Sequence, residues 1–347
     1  MAEFIIVAPV ATPSITEGDP YSYEMEALAP IGANIVECQG AEAEFIAAAK
    51  EADAVYVRRV KVTRRAIEAL NRCRVIAVGS VGVDYVDVSA ATDKGIPVTN
   101  CPDTFIEEVA DHTMMLLLAA HRRALEQDQM VRQGRWADGR RQLLQIPRLM
   151  GQTLGFVAFG RVPRAVAHRA KSFGLRILAY DPFVDERTIV AAGAEPVGLS
   201  EVLQASDFLS VHLPATAQSI GMLGERHFRQ MKRTAIIINT GRGSTLVEKD
   251  LINALQEQWI AGAALDVFES EPIQANNPLL RMANVILSPH NASASARFEP
   301  VRRRRVGQEL ALVLTGRWPM SCVNPSVLAR TDLKRWQPVS MERGSSA

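Results

Sequence analysis

The chain contains few cysteines, and their spacing is wide. No two of them form a Cys-x-x-Cys motif; they are Cys38, Cys73, Cys101 and Cys322. Zinc sites and redox dithiols need closely spaced thiols, and disulfide frameworks are typical of short secreted chains. We therefore predict reduced thiols, a cytoplasmic location and no metal.

Long hydrophobic runs are missing as well. The most apolar helical stretch, Met114–Ala120, has seven residues, whereas a membrane span needs about 20. The N-terminal apolar run Phe4–Val10 follows the acidic Glu3, not the basic segment that opens a signal peptide. These patterns predict a soluble protein with no export signal and no membrane partner.

An excess of charge of either sign is also absent. The 39 Lys and Arg face 38 Asp and Glu, so that no global field attracts nucleic acid. The one basic run, Arg302–Arg305, lies in a helical pattern that turns successive side chains to different sides, and we predict a solvated surface there. The expected partner is a small molecule, and no direct nucleic-acid binding is expected.

Alternating β-rich and helical patterns occupy most of the 347 residues. This alternation predicts parallel sheets covered by helices. The length exceeds what one hydrophobic core usually serves, so we predict an α/β protein with two doubly wound parallel-sheet domains. The predicted strands are Phe4–Val10, Asn34–Cys38, Ala54–Val57, Val75–Val78 and Pro97–Thr99, then Leu154–Phe159, Ile177–Tyr180, Phe208–His212, Ala235–Asn239, Ala261–Leu265 and Val285–Leu287.

A long helix is predicted between the two alternating regions. Thr104 and Glu107 have the spacing of a capping box, and the helical pattern runs to about residue 133. Apolar residues at mixed spacing, such as Met114 and Leu117, give this helix more apolar surface than one domain face covers. A buried core helix and a dimer interface both fit, and we predict a homodimer through this helix.

A phosphate-binding turn is predicted where the strand starting at Leu154 passes into a helix. The glycine positions of a Gly-x-Gly-x-x-Gly motif hold Ala158, Gly160 and Pro163, so only the middle glycine is kept. Alanine suits the first position if its φ is negative, and a proline in the first helical turn lacks only a donor that is free anyway. The residues predicted to bind the pyrophosphate of NAD at the helix N-terminus are Ala158, Gly160, Arg161 and Val162.

The choice of dinucleotide depends on Asp181, which ends the next strand 21 residues after Gly160. A carboxylate at this place accepts hydrogen bonds from the adenosine ribose and repels a 2′-phosphate. The alternative is that Asp181-Pro182 is only a strand-ending turn. We predict the ribose contact, and therefore NAD and not NADP.

Three polar residues follow strands of the second predicted sheet, at the edge where ligands bind. Arg242 stands between two glycines, which leave its guanidinium room to hold a carboxylate in bidentate fashion. A carboxylate such as Glu271, hydrogen-bonded to a histidine such as His290, fixes the tautomer and favours an imidazolium that protonates a carbonyl oxygen while a hydride reaches the carbon. We predict Arg242 as substrate clamp, Glu271 as the partner of histidine, and His290 as acid and base.

The remaining histidines and a metal are weaker alternatives. No carboxylate partner is predicted for the histidines in helical stretches, which are His112, His121, His168 and His227. A metal bound by His290, Glu271 and Asp266 is conceivable, but the close helical spacing of zinc ligands is missing.

Seven stretches occur in a specific order and spacing: 78–84, 108–113, 154–163, 211–214, 239–243, 262–272 and 288–290. With these stretches the chain resembles the D-isomer-specific 2-hydroxyacid dehydrogenases over about residues 50 to 325. Within that family it is most similar to the branch of the C-terminal-binding-protein co-repressors. The resemblance implies the same roles for Arg242, Glu271 and His290.

Further site residues are implied by the resemblance alone. Backbone amides around Val81 and Gly82 would bind the substrate carboxylate, and Asp266 would lie near the nicotinamide. Thr240 and the segment from His212 to Pro214 would line the cofactor cleft.

The resemblance also implies how the domains are divided. Residues 1–101 and 298–335 would form a flavodoxin-like substrate domain, and 102–297 a Rossmann-type NAD domain, with the active site in the cleft between them. Residues 336–347 lack apolar periodicity and are predicted to be a mobile tail.

One departure from the family concerns the pocket. Ser293 stands in the segment Asn291–Ser295, where the family often has an aromatic residue, and it predicts an atypical substrate pocket. The predicted function is hydride transfer between NADH and a small 2-oxo acid, giving a D-2-hydroxy acid. The alternatives are an NAD(H)-sensing dimeric scaffold, which would bind NADH without turnover, and an atypical reaction at the same site.

Overall fold

A computed structural model of the protein describes residues 4–10, 20–39, 41–58 and 60–336. The chain divides into two compact units, residues 1–104 with 296–347, and residues 105–295. The assignment of substrate and cofactor to these two units stays a prediction, and the predicted mobile tail lies, except for residue 336, outside the described residues. No helix among the described residues is long and apolar enough to cross a membrane.

The elements follow one another in the alternation that the sequence predicts. In the first unit they are β1 (Phe4–Val10), α1 (Ser22–Leu28), β2 (Ala33–Gln39), α2 (Glu42–Ala49), β3 (Ala54–Val57), α3 (Arg64–Glu68), β4 (Val75–Val78), α4 (Val88–Lys94) and β5 (Val98–Thr99). In the second unit they are α5 (Ile106–His121), α6 (Ala124–Arg132), α7 (Trp136–Leu143), β6 (Thr153–Val157), α8 (Arg161–Ser172), β7 (Arg176–Tyr180), α9 (Glu186–Ala191), β8 (Glu195–Pro196), α10 (Leu199–Ala205), β9 (Phe208–Val211), α11 (Glu225–Phe228), β10 (Ile236–Asn239), α12 (Glu248–Gln256), β11 (Gly262–Leu265) and β12 (Val285–Leu287). Helix α13 (Phe298–Leu314) belongs to the first unit.

The first unit contains a five-stranded parallel sheet in the order β2-β1-β3-β4-β5. This is the flavodoxin-like order. Every residue of β3 and β4 is buried, because helices cover both faces of the sheet. Ile76 packs with α2, α3 and α4 on one face, and Tyr56 packs with α1 and α13 on the other.

The second unit contains a seven-stranded parallel sheet in the order β8-β7-β6-β9-β10-β11-β12. The strand order reverses between β6 and β9, so a ligand is expected outside the carboxyl ends of these strands. The predicted fold class, two α/β units with parallel sheets, is confirmed. One strand was missed, because β8 has only two residues and no periodicity.

The predicted long helix is wrong in its extent and in its start. Helix α5 ends at His121 and α6 begins at Ala124, because Arg123 adopts a left-handed φ of 51° and interrupts the helical hydrogen bonds. The predicted capping box does not form: the Thr104 hydroxyl donates to the carbonyl of Cys101 at 3.2 Å, and Phe105 begins the helix without a side-chain cap.

The predicted solvated surface at Arg302–Arg305 is wrong for Arg303. Its guanidinium is buried against the buried Glu24 of α1, with Nη2 2.7 Å and Nε 2.9 Å from Glu24 Oε2. Tyr56 donates its hydroxyl to the same carboxylate at 3.0 Å. A buried charge needs such partners, and α1 supplies them because it packs along α13.

Candidate functional site

The predicted acid–base pair comes together at the carboxyl ends of β11 and β12. His290 Nδ1 lies 2.6 Å from Glu271 Oε2, and Glu271 Oε1 accepts a hydrogen bond from the backbone amide of Phe268 at 3.0 Å. Each carboxylate oxygen therefore has one partner. With Nδ1 held in this way, Nε2 of His290 is the nitrogen that is left to exchange a proton with a reactant.

Arg242 follows β10 in a loop whose glycines are required by close packing. A Cβ on Gly243 would lie 2.0 Å from the backbone of Phe268, and one on Gly241 would lie 3.0 Å from the backbone of His212. The glycines therefore do more than leave the guanidinium room, which was the reason given from the sequence. They let the loop of Arg242 lie against the segment that leads to Glu271.

The charge of Glu271 is stabilised by this arrangement. Burial raises the pKa of Glu271, but hydrogen bonds from His290 and from the amide of Phe268, together with the charges of His290 and Arg242, lower it below its usual range. The carboxylate is thus ionised at neutral pH and can stabilise a positively charged imidazole.

We expect this pair to make the stability of the protein sensitive to acid. Because the pKa of Glu271 is lower in the folded than in the unfolded chain, its contribution is complete above the unfolded-state pKa and is lost as the pH falls through the folded-state pKa. The melting temperature of Glu271→Gln should therefore fall less than that of the wild type between about pH 5 and pH 3. The exposed Glu201 of α10 gives a control, Glu201→Gln, which should follow the wild type. Parallel curves for Glu271→Gln and the wild type would contradict this expectation.

Asp266, at the end of β11, anchors the loop that carries His290. It is buried, and it accepts hydrogen bonds from the Ser288 hydroxyl at 2.6 Å, the Asn291 amide at 3.1 Å and the Ala292 amide at 3.0 Å. Its backbone carbonyl accepts from the amide of His290 at 2.8 Å. Burial raises the pKa of Asp266, but these donors and His112 lower it below its usual range. A position near the nicotinamide stays a prediction for this residue.

The place of His112 in this site was not predicted from the sequence. It was left without a carboxylate partner, yet its Nε2 lies 2.9 Å from Ser288 Oγ and 3.5 Å from Asp266 Oδ1. The next residue of α5, Thr113, brings its hydroxyl 2.9 Å from that of Thr240. No local pattern reveals these contacts, since 176 residues separate His112 from Ser288; the only signal was the stretch 108–113 in the resemblance.

The residues predicted to line the cofactor cleft surround the ends of β9 and β10. His212 Nε2 lies 2.8 Å from Ser210 Oγ, and Nδ1 lies 3.5 Å from Thr240 Oγ1. Burial lowers the pKa of His212 to about 3, so its imidazole is neutral. The carbonyl of Pro214 accepts a hydrogen bond from Ser219. These contacts fix the segment, whereas its part in cofactor binding stays a prediction.

The predicted phosphate-binding turn lies between β6 and α8. Gly160 begins the helix, Arg161 and Val162 are its first residues, and a Cβ on Gly160 would meet no atom within 4 Å. The condition under which alanine suits the first position, a negative φ, is not met. The φ of Ala158 is 72°, because its amide donates to the carbonyl of Tyr180 and the chain turns sharply there. An L-residue in this conformation costs about 1–2 kcal/mol. Open space beside a helix N-terminus fits a dinucleotide pyrophosphate.

Asp181 supports the same turn. One carboxylate oxygen accepts from the amide of Phe159 at 2.8 Å, and the other accepts from the amide of Phe183 at 2.8 Å. The strand-ending turn that was the alternative is therefore formed. The carboxylate is partly exposed and keeps acceptor capacity, so the ribose contact stays a prediction.

Besides Arg242, the residues predicted to contact the substrate lie on two further loops. Val81 and Gly82 follow β4 in the first unit, where the Ser80 hydroxyl donates to the carbonyl of Gly82 at 2.7 Å and Asn100 donates to that of Val81 at 2.6 Å. Ser293 belongs to the second unit, half-buried in the loop after β12. Their substrate contacts stay predictions. Among the described residues, no group of three or more His, Cys, Asp and Glu side chains has the arrangement of a metal site.

A parallel sheet of this order, a helix beginning at a close turn, and a histidine–carboxylate pair beside an arginine are together typical of dinucleotide-dependent oxidoreductases. Residues 114–292 match the sequence family described as "D-isomer specific 2-hydroxyacid dehydrogenase, NAD binding domain". The chain belongs to the D-isomer-specific 2-hydroxyacid dehydrogenase family, and it is a dehydrogenase with an NAD-binding domain. The predictions of the family and of an enzyme are confirmed.

Relatives and solved structures agree with this family. The chain is 44% identical over 262 residues to the glyoxylate reductase of Korarchaeum cryptofilum, covering 75% of this chain and 79% of the relative. It is 37% identical over 297 residues to the D-3-phosphoglycerate dehydrogenase of Methanocaldococcus jannaschii, covering 85% and 56%. The crystal structure of an NADPH-dependent glyoxylate/hydroxypyruvate reductase from Sinorhizobium meliloti, in complex with NADP and malonate, is 32% identical with a TM-score of 0.78, over 93% of this chain and 97% of that one. The narrower likeness to the co-repressor branch stays a prediction.

Proposed function

We propose that the protein reduces a small 2-oxo acid with NADH. Glyoxylate, the first candidate, would give glycolate, and a larger 2-oxo acid would give the D-2-hydroxy acid. The observation that carries the proposal is the 2.6 Å hydrogen bond between His290 Nδ1 and Glu271 Oε2, within the field of Arg242. The choice of substrate is supported by the glyoxylate reductases among the relatives.

Each side chain of the site has a separate role in the proposed reaction. When bound, the dinucleotide supplies the hydride that the carbonyl carbon accepts. His290 donates the Nε2 proton to the carbonyl oxygen, so that the C=O bond becomes CH–OH, and it takes the proton back in the reverse direction. Glu271 stabilises the imidazolium and fixes its orientation, and Arg242 holds the substrate carboxylate and polarises the carbonyl.

The test is the oxidation of NADH with a panel of 2-oxo acids from glyoxylate to phenylpyruvate. Rates are normalised to the concentration of NADH-binding sites, which is titrated separately. Turnover of at least one acid is expected, and an acid with a side chain at C2 should give the D-isomer of the product. If NADH binds but no acid is turned over, the proposal fails, and the scaffold or an atypical reaction replaces it.

For the cofactor, we propose NADH over NADPH, because the charge of Asp181 would face a 2′-phosphate. The variant Asp181→Asn should lower the ratio of kcat/KM for NADH to that for NADPH about tenfold, or ~1.4 kcal/mol. The exposed Glu201→Gln serves as the control and should leave this ratio unchanged. A wild type that prefers NADPH would contradict the proposal; the Sinorhizobium meliloti relative is described as NADPH-dependent.

We also propose a homodimer through the surface of α5 to α7. Met115, Leu125, Trp136 and Leu144 are exposed by 46%, 57%, 79% and 78%. Met115 also lines an apolar groove, together with Met114, Leu118, Ala119 and Phe173, among others. Exposed apolar side chains beside such a groove on one pair of consecutive helices, α5 and α6, are typical of an interface between subunits.

The double variant Met115→Glu with Leu125→Glu should be a monomer, because each charge would be buried against apolar surface in the dimer. Light scattering after size-exclusion chromatography measures the mass. Val190→Glu, at a similarly exposed apolar residue of α9, should leave the mass of a dimer unchanged. A monomeric wild type, or a double variant that remains dimeric, would overturn the proposed interface.

A further inference from the structure

His290 occupies a backbone conformation that its surroundings must enforce. Its φ is 48°, in the left-handed region that residues other than glycine adopt at a cost. The carbonyl of Asp266 accepts the amide of His290, and the carboxylate of Asp266 accepts the amides of Asn291 and Ala292. The orientation of the imidazole therefore depends on how firmly Asp266 is held.

The protons available for the hydrogen bonds around Asp266 determine whether His112 donates or accepts. The single hydroxyl proton of Ser288 goes to Asp266 Oδ1 at 2.6 Å, because an ionised carboxylate can only accept. Ser288 Oγ must then accept from His112 Nε2 at 2.9 Å. His112 thus carries a proton on Nε2 and donates it into a chain that runs from His112 to Ser288 to Asp266.

Helix α5 is itself fixed at this point. Thr113 contacts Thr240 at 2.9 Å, and Glu108, one turn before His112, accepts from the hydroxyl of Ser295 at 3.0 Å. The helix therefore holds the loop after β12 at two places, Ser288 and Ser295, on both sides of His290. A rigid helix that fixes a loop in this way can set the orientation of the side chain between the two contacts.

We propose that His112 is a positioning residue, which through Ser288 and Asp266 holds the loop that carries His290 in its left-handed conformation. The proposal rests on the proposed function, in which His290 transfers the proton. His112 does not exchange a proton with the substrate; it orients the residue that does.

The test compares two substitutions at His112 with one at the surface. His112→Leu has a similar volume but no donor. In His112→Gln, the side-chain amide nitrogen of glutamine is separated from Cα by the same number of bonds as Nε2 of histidine. It can therefore donate to Ser288. His168→Leu, at an exposed histidine of α8, is the matched control. For each protein kcat, KM for the 2-oxo acid and the Kd of NADH are measured, and kcat is normalised to the titrated NADH sites.

We expect His112→Leu to lower kcat about 10- to 100-fold, since a misplaced catalytic group costs this much, with the Kd of NADH unchanged. His112→Gln should restore most of kcat, and His168→Leu should equal the wild type. Ser288→Ala and the double variant His112→Leu with Ser288→Ala complete a double-mutant cycle. The two losses of kcat should not add, because both substitutions break the same chain of hydrogen bonds from His112 to Asp266.

Two outcomes overturn the inference. In the first, His112→Leu retains the kcat of the wild type; in the second, His112→Gln loses as much as His112→Leu at equal NADH-site content. Both differ from a failure of the proposed function, in which the wild type itself would turn over no 2-oxo acid.

Discussion

Replacement of His290 with asparagine is expected to lower kcat by about 10²- to 10⁴-fold, the usual contribution of a general acid–base group. Asparagine is the informative substitution because it tolerates the left-handed conformation of residue 290, with its φ of 48°, better than most residues. It keeps the loop but has no proton to transfer. Stopped-flow and steady-state oxidation of NADH would measure the loss.

The control for this variant is the binding of NADH. Its Kd should change little, because the role proposed for His290 is at the substrate, and the turn of Gly160 is the one proposed to bind the pyrophosphate. A variant that keeps more than about a tenth of the activity of the wild type would remove His290 from the proton transfer, since that loss lies below the range for such groups.

The second large effect is expected at Arg242. Arg242→Gln should lower kcat/KM about 100- to 1,000-fold, or ~3–4 kcal/mol, because a carboxylate would lose a charged, forked donor. Arg242→Lys keeps the positive charge but loses the paired N–H donors of the guanidinium, so it should recover only part of the lost kcat/KM. The rise in KM should be seen for the 2-oxo acid and not for NADH.

A readout independent of turnover accompanies this prediction. The charge of Arg242 contributes to the lowered pKa of Glu271, so in Arg242→Gln this pKa should be higher, and it can be followed by carboxyl chemical shifts in NMR. If Arg242→Gln changed neither KM nor the pKa of Glu271, the arginine would not act at this site.

Much of the sheet structure could be predicted because its signal is local. Strands β3 and β4 are continuous apolar runs, and their predicted bounds, Ala54–Val57 and Val75–Val78, agree with the structure. The predicted bounds of β1 and β12 agree as well. The remaining predicted strands differ by one or two residues; β6, for example, ends at Val157 and not at Phe159. Strand β8 was missed, since two residues without periodicity carry no signal.

The pairing of Glu271 with His290 could also be anticipated. Both residues follow strands of one parallel sheet, and the carboxyl ends of such strands share an edge. The sequence could not give the φ of Ala158, which depends on the hydrogen bond from its amide to Tyr180. The end of α5 at His121 could not be predicted either, because the helical sequence pattern continues across the break at Arg123.

By itself, the sequence determined the alternation of strands and helices, the two parallel sheets, the family, and the three side chains proposed for the chemistry. Tertiary structure alone decided that Arg303 is buried against Glu24, 279 residues away, and that His112 reaches Ser288 and Asp266. The physical reason is the distance along the chain between the residues that interact. Burial patterns repeat every two to four residues and can be read along the chain, whereas the contact between one face of a helix and a distant loop depends on how the elements pack.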